Sequence, residues 1–279
     1  MLKALKNLLA FLIYSNLYIA ACAVLMVQFS AAIMLKFDAN ADFKRFVFFS
    51  TLCSYNFHYY FTIHSVLPSE RIRWMQRNRI VLLIFFATGL AGAIYFFIQL
   101  SYWWAWLLPA IAATFLYSAP LLPYPFFRQL RKIAIGKTIF LAFIWMYVTV
   151  ILPLIIHTIS WNNSFSFYTA GRFFFIYCIC ILFDYRDRAD DKAKGVRSLI
   201  TFLSEINITR LFVCSFVLYV VFTLLLHYYE FPLSLIAVFL IPGLVLAILY
   251  PYTKRNFSDM LYYEVLNGLM ALPALLMMV

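Results

Sequence analysis

Apolar runs long enough to cross a bilayer recur from one end of this 279-residue chain to the other. At 1.5 Å of rise per residue, about 20 helical residues span the ~30 Å hydrocarbon core. Nine such runs lie at 8–35, 43–67, 80–100, 102–122, 133–157, 169–185, 207–228, 232–251 and 260–279. Inside hydrocarbon no water is available to backbone N–H and C=O groups, so runs of this length satisfy them internally, as helices. The expected fold is therefore all-α: a polytopic nine-helix transmembrane bundle, with residues 1–279 forming a single domain. The 31 Phe, 20 Tyr, 12% charged residues and mean hydropathy of +0.90 exceed what a soluble core of this size can bury. The outer surface itself must be apolar.

Lys and Arg beside membrane spans are retained on the cytoplasmic side. With the N-terminus inside, the nine-span alternation puts 18 of the 22 basic residues on the inner face and leaves Lys36, Lys44, Arg45 and Arg172 outside. A wrong span count would scramble that asymmetry. The N-terminus is thus expected in the cytoplasm. Inner loops facing anionic headgroups account for the net charge of +11, with no nucleic-acid partner required. The first run is much longer than a signal-peptide core of about 7–15 residues and reads as a retained helix. All five cysteines fall within the runs and form no C-x-x-C pair, which assigns them to apolar packing. Pro109, Pro153, Pro242 and Pro273 fall inside runs, where a missing N–H usually kinks a helix.

Two segments carry polar groups that such a chain does not need for folding. Asp184, Asp187 and Asp191 form a D-x-x-D-x-x-x-D pattern directly after the run that ends at Phe183. At 100° per residue the three carboxylates fall within about 60° of one helical face, while Asp190 points elsewhere. Such a face suits a hard cation. Magnesium commonly takes one or two carboxylates plus substrate phosphates and water. Lys192, Lys194 and Arg197 follow and offer neutralising charge to a phosphate, Arg as a bidentate fork and Lys as a point charge. The competing reading is a solvated mixed-charge loop that halts translocation. The second segment is Tyr117, Ser118, Ala119 and Pro120, with Arg128, Arg131, Lys132 and Lys137 beyond it. A tyrosine here can hydrogen-bond an anionic oxygen or present its ring face to a cation.

Taken together in a nine-span chain, these two segments resemble the UbiA-type intramembrane prenyltransferase family. The matching features are the Tyr-Ser-x-Pro element ahead of a basic stretch and the acidic motif followed by Lys192 or Lys194, Gly195 and Leu199. The resemblance extends over nearly the whole chain and is specific in 184–199. The family also carries a first acidic motif, N-x-x-x-D-x-x-x-D, on its second helix. Here Asn56 is present, but Tyr60 and His64 replace both aspartates. These three still share a face of about 80°.

The resemblance implies transfer of an isoprenyl group from an isoprenyl diphosphate to an aromatic or lipid acceptor, with Mg2+ bound alongside the diphosphate. It assigns the metal to Asp184, Asp187 and Asp191, and catalysis to Asp187, Asp191 and Tyr117. Substrate binding falls to Asn56, Tyr60, His64, Arg71, Arg131, Lys132, Lys137, Lys192, Lys194 and Arg197. Imidazole is a poor magnesium ligand. His64 and Tyr60 are accordingly expected to donate to phosphate, with Arg71 and Arg73 sharing the neutralisation. The alternative is a relative that binds an isoprenoid or lipid phosphate without turning it over, having lost the first metal motif. His58, on another face of the same helix, reads as an unrelated packed histidine.

Overall fold

The computed structural model describes residues 2–61, 69–119, 136–157, 160–193, 195 and 198–278, with the side chains of 2–5 left aside. All regular structure among them is helical. The helices are α1 (Leu2–Tyr14), α2 (Leu17–Leu35), α3 (Ala41–Phe61), α4 (Glu70–Arg77), α5 (Arg79–Gln99) and α6 (Trp104–Ser118). There follow α7 (Lys137–Ile156), α8 (Asn163–Ala193), α9 (Leu199–Phe202), α10 (Glu205–Leu225), α11 (Leu233–Thr253) and α12 (Leu261–Leu276).

Each of the nine apolar runs holds a helix, and six of these helices, α2, α5, α7, α8, α10 and α11, are long and apolar enough to cross a membrane. Six helices of this length and hydropathy make the chain a multi-pass membrane protein. The other three runs give shorter or more polar helices. Asp42, Lys44 and Arg45 sit in the first turns of α3, while α6 and α12 are described over 15 and 16 residues.

Two boundaries depart from the expected runs, each for a local reason. The first run is split, because Asn16 adopts a left-handed backbone (φ 68°) between α1 and α2. Asparagine tolerates that conformation better than most residues, and here its amide is drawn into polar contacts across the bundle. The run expected at 169–185 instead continues as one helix to Ala193. All three motif aspartates therefore lie on α8 and not in a loop.

Helix α8 is the central element, packed against α7 on one side and α10 on the other. Phe175, Ile176, Ile179, Ile181 and Leu182 are almost wholly buried along it. Helix α2 packs on α3 and α12, and α3 lies along α5. Apolar attraction between helices is weak in lipid, so close backbone approach matters more. Gly89 of α5 supplies it against the backbone of Cys53 and Phe49 on α3, and Gly92 makes room for the Phe49 ring. The outward faces carry the exposed apolar side chains, such as Ile80, Ile84, Ile94 and Ile98 on α5 and Val213, Val217 and Val221 on α10. Helix α7 widens into a π turn at Tyr147–Ile151, just ahead of Pro153, whose missing N–H cannot serve the carbonyl of Thr149.

Candidate functional site

The acidic face of α8 meets the N-terminal end of α7. Asp184 and Asp191 are buried, at 5% and 8% exposure. Thr138, in the first turn of α7, donates its hydroxyl proton to Asp184 Oδ2. Its neighbour Lys137 lies 3.3 Å from Asp191 Oδ2 and also reaches Asp184, Asp187 and Tyr117 electrostatically. Lys137 and the positive end of the α7 dipole therefore oppose three negative charges that would otherwise repel one another. Asp187 is within electrostatic reach of both Lys137 and Arg186. Lys192, one turn further, is exposed.

Tyr117, at the end of α6, faces this cluster and stacks on His58 of α3 with ring centroids 5.6 Å apart. His58 Nδ1 is 3.2 Å from Ser118 Oγ. The histidine is packed, as expected, but it ties α3 to the Tyr-Ser element and so belongs to the site. It lies within electrostatic reach of both Lys137 and Arg71.

A basic half adjoins the acidic one. Arg71 opens α4 and is 3% exposed. Its guanidinium carbon sits 3.7 Å from the Tyr59 ring centroid and 3.8 Å from that of Tyr263, so the cation lies in the corner between two rings set at 87° to each other. Arg71 Nη2 donates to Asn16 Oδ1 at 2.6 Å, and its backbone N–H donates to Asp259 Oδ2 at 2.8 Å. Arg186 of α8 donates to the other oxygen of Asp259 and lies 4.8 Å from the same Tyr263 ring. Asp259 thereby joins α4 to α8 from the segment just before α12. The side chains of Tyr59 and Tyr263 also come within hydrogen-bonding reach of the Arg71 guanidinium. Arg71 Nε and Nη1 and Arg186 Nη1 are buried and make no hydrogen bond of good geometry among the described residues. A buried donor without an acceptor costs about 1–3 kcal/mol.

Asn56 is fully engaged. Its Nδ2 donates to the carbonyls of Leu52 (2.8 Å) and Ser15 (3.2 Å), and its Oδ1 accepts from Asn16 Nδ2 at 3.1 Å. It holds the α1–α2 break in place and, through Asn16, supports Arg71. Tyr60 is half-buried with its ring against Phe61. His64, Arg131, Lys132, Lys194 and Arg197 lie outside the described residues.

The structure thus brings together Asp184, Asp187, Asp191, Tyr117 and Lys137, with Asn56 and Arg71 in the adjoining basic half. Arg186, Asp259, Tyr59 and Tyr263 were not foreseen. Arg186 stands inside the acidic motif, where its spacing from Asp187 and Asp191 hides a different role. Asp259 is a single acid with no pattern around it. On the outer rim, Glu205 pairs with Lys254 at 2.9 Å and with Arg188. Burial works against the Lys254 charge, and the Glu205 hydrogen bond outweighs it, so the ammonium is held above the ordinary lysine range.

Among the described residues no group of three or more His, Cys, Asp or Glu converges closely enough to hold a metal ion by itself. The donor type nonetheless suits magnesium. Asp187 and Asp191 are one turn apart on one face, and two carboxylates with phosphate oxygens and water make an ordinary Mg2+ shell. Asp184 is committed to Thr138, and Asp191 is shared with Lys137. Comparison with protein-family models, curated proteins and solved structures finds no match to this chain.

Proposed function

We propose that this chain is a nine-helix membrane protein of the UbiA prenyltransferase type, which binds an isoprenyl diphosphate and transfers its isoprenyl group to an aromatic or lipid acceptor. The reading rests on one observation: three aspartates on a single face of α8, packed against Lys137 and Thr138 and facing Tyr117. In this reading α3, α6 and α12 also cross the bilayer, and the N-terminus and the acidic end of α8 face the cytoplasm.

Asp187 and Asp191 are the residues that would hold Mg2+, with Asp184 behind them. Bound there, the ion supplies charge neutralisation to the departing diphosphate. The remaining steps belong to the protein. Lys137 exchanges its bond to Asp191 for a phosphate oxygen, freeing that carboxylate. The Tyr117 phenol donates a proton in a hydrogen bond to the leaving oxygen. The rings of Tyr55, Tyr59, Trp145 and Tyr117 shield the allylic carbon from water and present negative faces to its developing charge.

A second reading is favoured by the first-motif positions. Asn56 is occupied by structural hydrogen bonds and Tyr60 packs on Phe61, so neither is displayed as a ligand. A relative that binds an isoprenoid or lipid phosphate without turnover would look the same.

The test is magnesium-dependent consumption of radiolabelled isoprenyl diphosphates of several chain lengths, with a panel of acceptors. Asp187→Asn is expected to lower turnover more than about tenfold, whereas Asp190→Asn, off the acidic face, stays within about threefold. Equal turnover in Asp187→Asn and the parent would remove the transferase reading. Tight magnesium-dependent binding with no turnover on any acceptor would establish the binding protein instead.

A further inference from the structure

Arg172 lies in the membrane-crossing stretch of α8, about 14 Å along the axis from the helix start at Asn163. It is 5% exposed. A charge at that depth is costly, and such residues ordinarily face the bundle interior and pair with an opposite charge. All eleven carboxylate side chains of the chain are among the described residues, and none pairs with Arg172. Nη2 donates to the Met270 carbonyl of α12 at 2.9 Å, and the Phe175 ring centroid lies 5.4 Å from the guanidinium carbon. Nε is buried and makes no hydrogen bond among the described residues.

A cavity of about 10 Å3, room for one guest of about the size of water, adjoins this arginine between α8, α10 and α11. Tyr168, Gly171 and Arg172 line it from α8, Tyr219 and Thr223 from α10, and Phe239 from α11. Its hydroxyl groups are already committed. Tyr219 donates to the Phe239 carbonyl, Thr223 donates to the Tyr219 carbonyl at 2.7 Å, and Tyr168 shares a hydrogen bond with Ser30 at 3.1 Å. Arg172 is the cavity's fixed cation, and no carboxylate stands among the described residues that line it. Gly171 provides the space beside it, since a Cβ there would stand 3.3 Å from Thr223 Oγ1. A water molecule can accept a hydrogen bond from Nε but leaves the charge uncompensated. A small anion does both.

We propose that this cavity is a binding site for a small monovalent anion of chloride size, held by Arg172 and walled by Gly171, Tyr219 and Thr223. A monatomic halide is little larger than a water molecule, whereas a phosphate group is too large for the space. The bound ion offsets the arginine charge and fastens α8 to the α10 wall, while Nη2 holds α12. Arg172 and Asp184 are about 18 Å apart along the helix, so the anion site is separate from the acidic face and does not depend on the transferase reading.

Thermal unfolding of the full chain in a neutral detergent tests this, with sodium chloride exchanged for sodium gluconate at constant ionic strength and pH. Chloride is expected to raise the midpoint by roughly 2–4 °C over gluconate, growing with the logarithm of its concentration, because a ligand bound only by the folded state stabilises it by mass action. Arg172→Met removes the cation and should lose that rise. Gly171→Ala keeps the cation but fills the space, and should lose it too; this variant decides alone if the methionine variant does not fold. Equal midpoints of the parent in chloride and gluconate overturn the site and leave the cavity to water. A rise that persists in Arg172→Met or in Gly171→Ala overturns it as well, since the ion then binds elsewhere, at the exposed basic residues.

Discussion

Replacing Asp259 with alanine is expected to cost about 3–5 kcal/mol of stability, the range for removing one partner of a buried ion pair. Arg186 would keep its charge at 8% exposure without its hydrogen-bonded carboxylate, and the backbone N–H of Arg71 would lose its acceptor at the same time. Thermal unfolding of the detergent-solubilised protein checks this. Asp259→Asn keeps an acceptor oxygen and the side-chain shape, so its loss should be smaller. The double variant Arg186→Met/Asp259→Leu removes both charges and should lie closer to the parent than either single change. A double variant that simply sums the two single losses would show that the two groups are not coupled.

Gly89 should be nearly as sensitive, for a steric reason. A Cβ there would stand 2.7 Å from the backbone nitrogen and 2.9 Å from the Cα of Cys53, so no rotation of a side chain can relieve it. Helices α3 and α5 would have to separate, and in lipid that close approach is much of what holds them together. Alanine in a helix interior ordinarily gains about 1 kcal/mol over glycine. At Gly89 the sign should reverse, with a net loss of about 1–3 kcal/mol for Gly89→Ala and more for Gly89→Leu. Gly136→Ala is the control, because no atom of the described residues lies within 4 Å of its Cβ position. A shift within about 0.5 kcal/mol is expected there. If Gly89→Ala unfolds at the parent temperature, the α3–α5 contact is looser than these distances require.

The helices could be read in the chain because hydrocarbon leaves an apolar run of this length little alternative. Their ends were harder to read. The break at Asn16 has no proline or glycine to announce it and exists because Asn56 and Arg71 use that amide. The extension of α8 to Ala193 runs through a charged stretch that can be read as an acidic helical face or as a solvated loop, and it is held by Thr138 and Lys137 of another helix. In the site, the acidic face was legible from helical periodicity and Lys137 from its place in a basic stretch. Their pairing was not, since residues 54 positions apart become neighbours only when α7 packs on α8.

What the sequence determined by itself is local: which segments must be helical, that the outer surface is apolar, and which carboxylates share a face. These follow from rise, period and hydration, which act within one segment. Only the tertiary structure decided that the acidic face is partly neutralised from within, and that a second, basic half exists beside it. Arg71, Arg186 and Asp259 come from three separate elements and carry no common spacing. Their burial, and with it the low dielectric that makes their charges matter, exists only once the helices have closed around them.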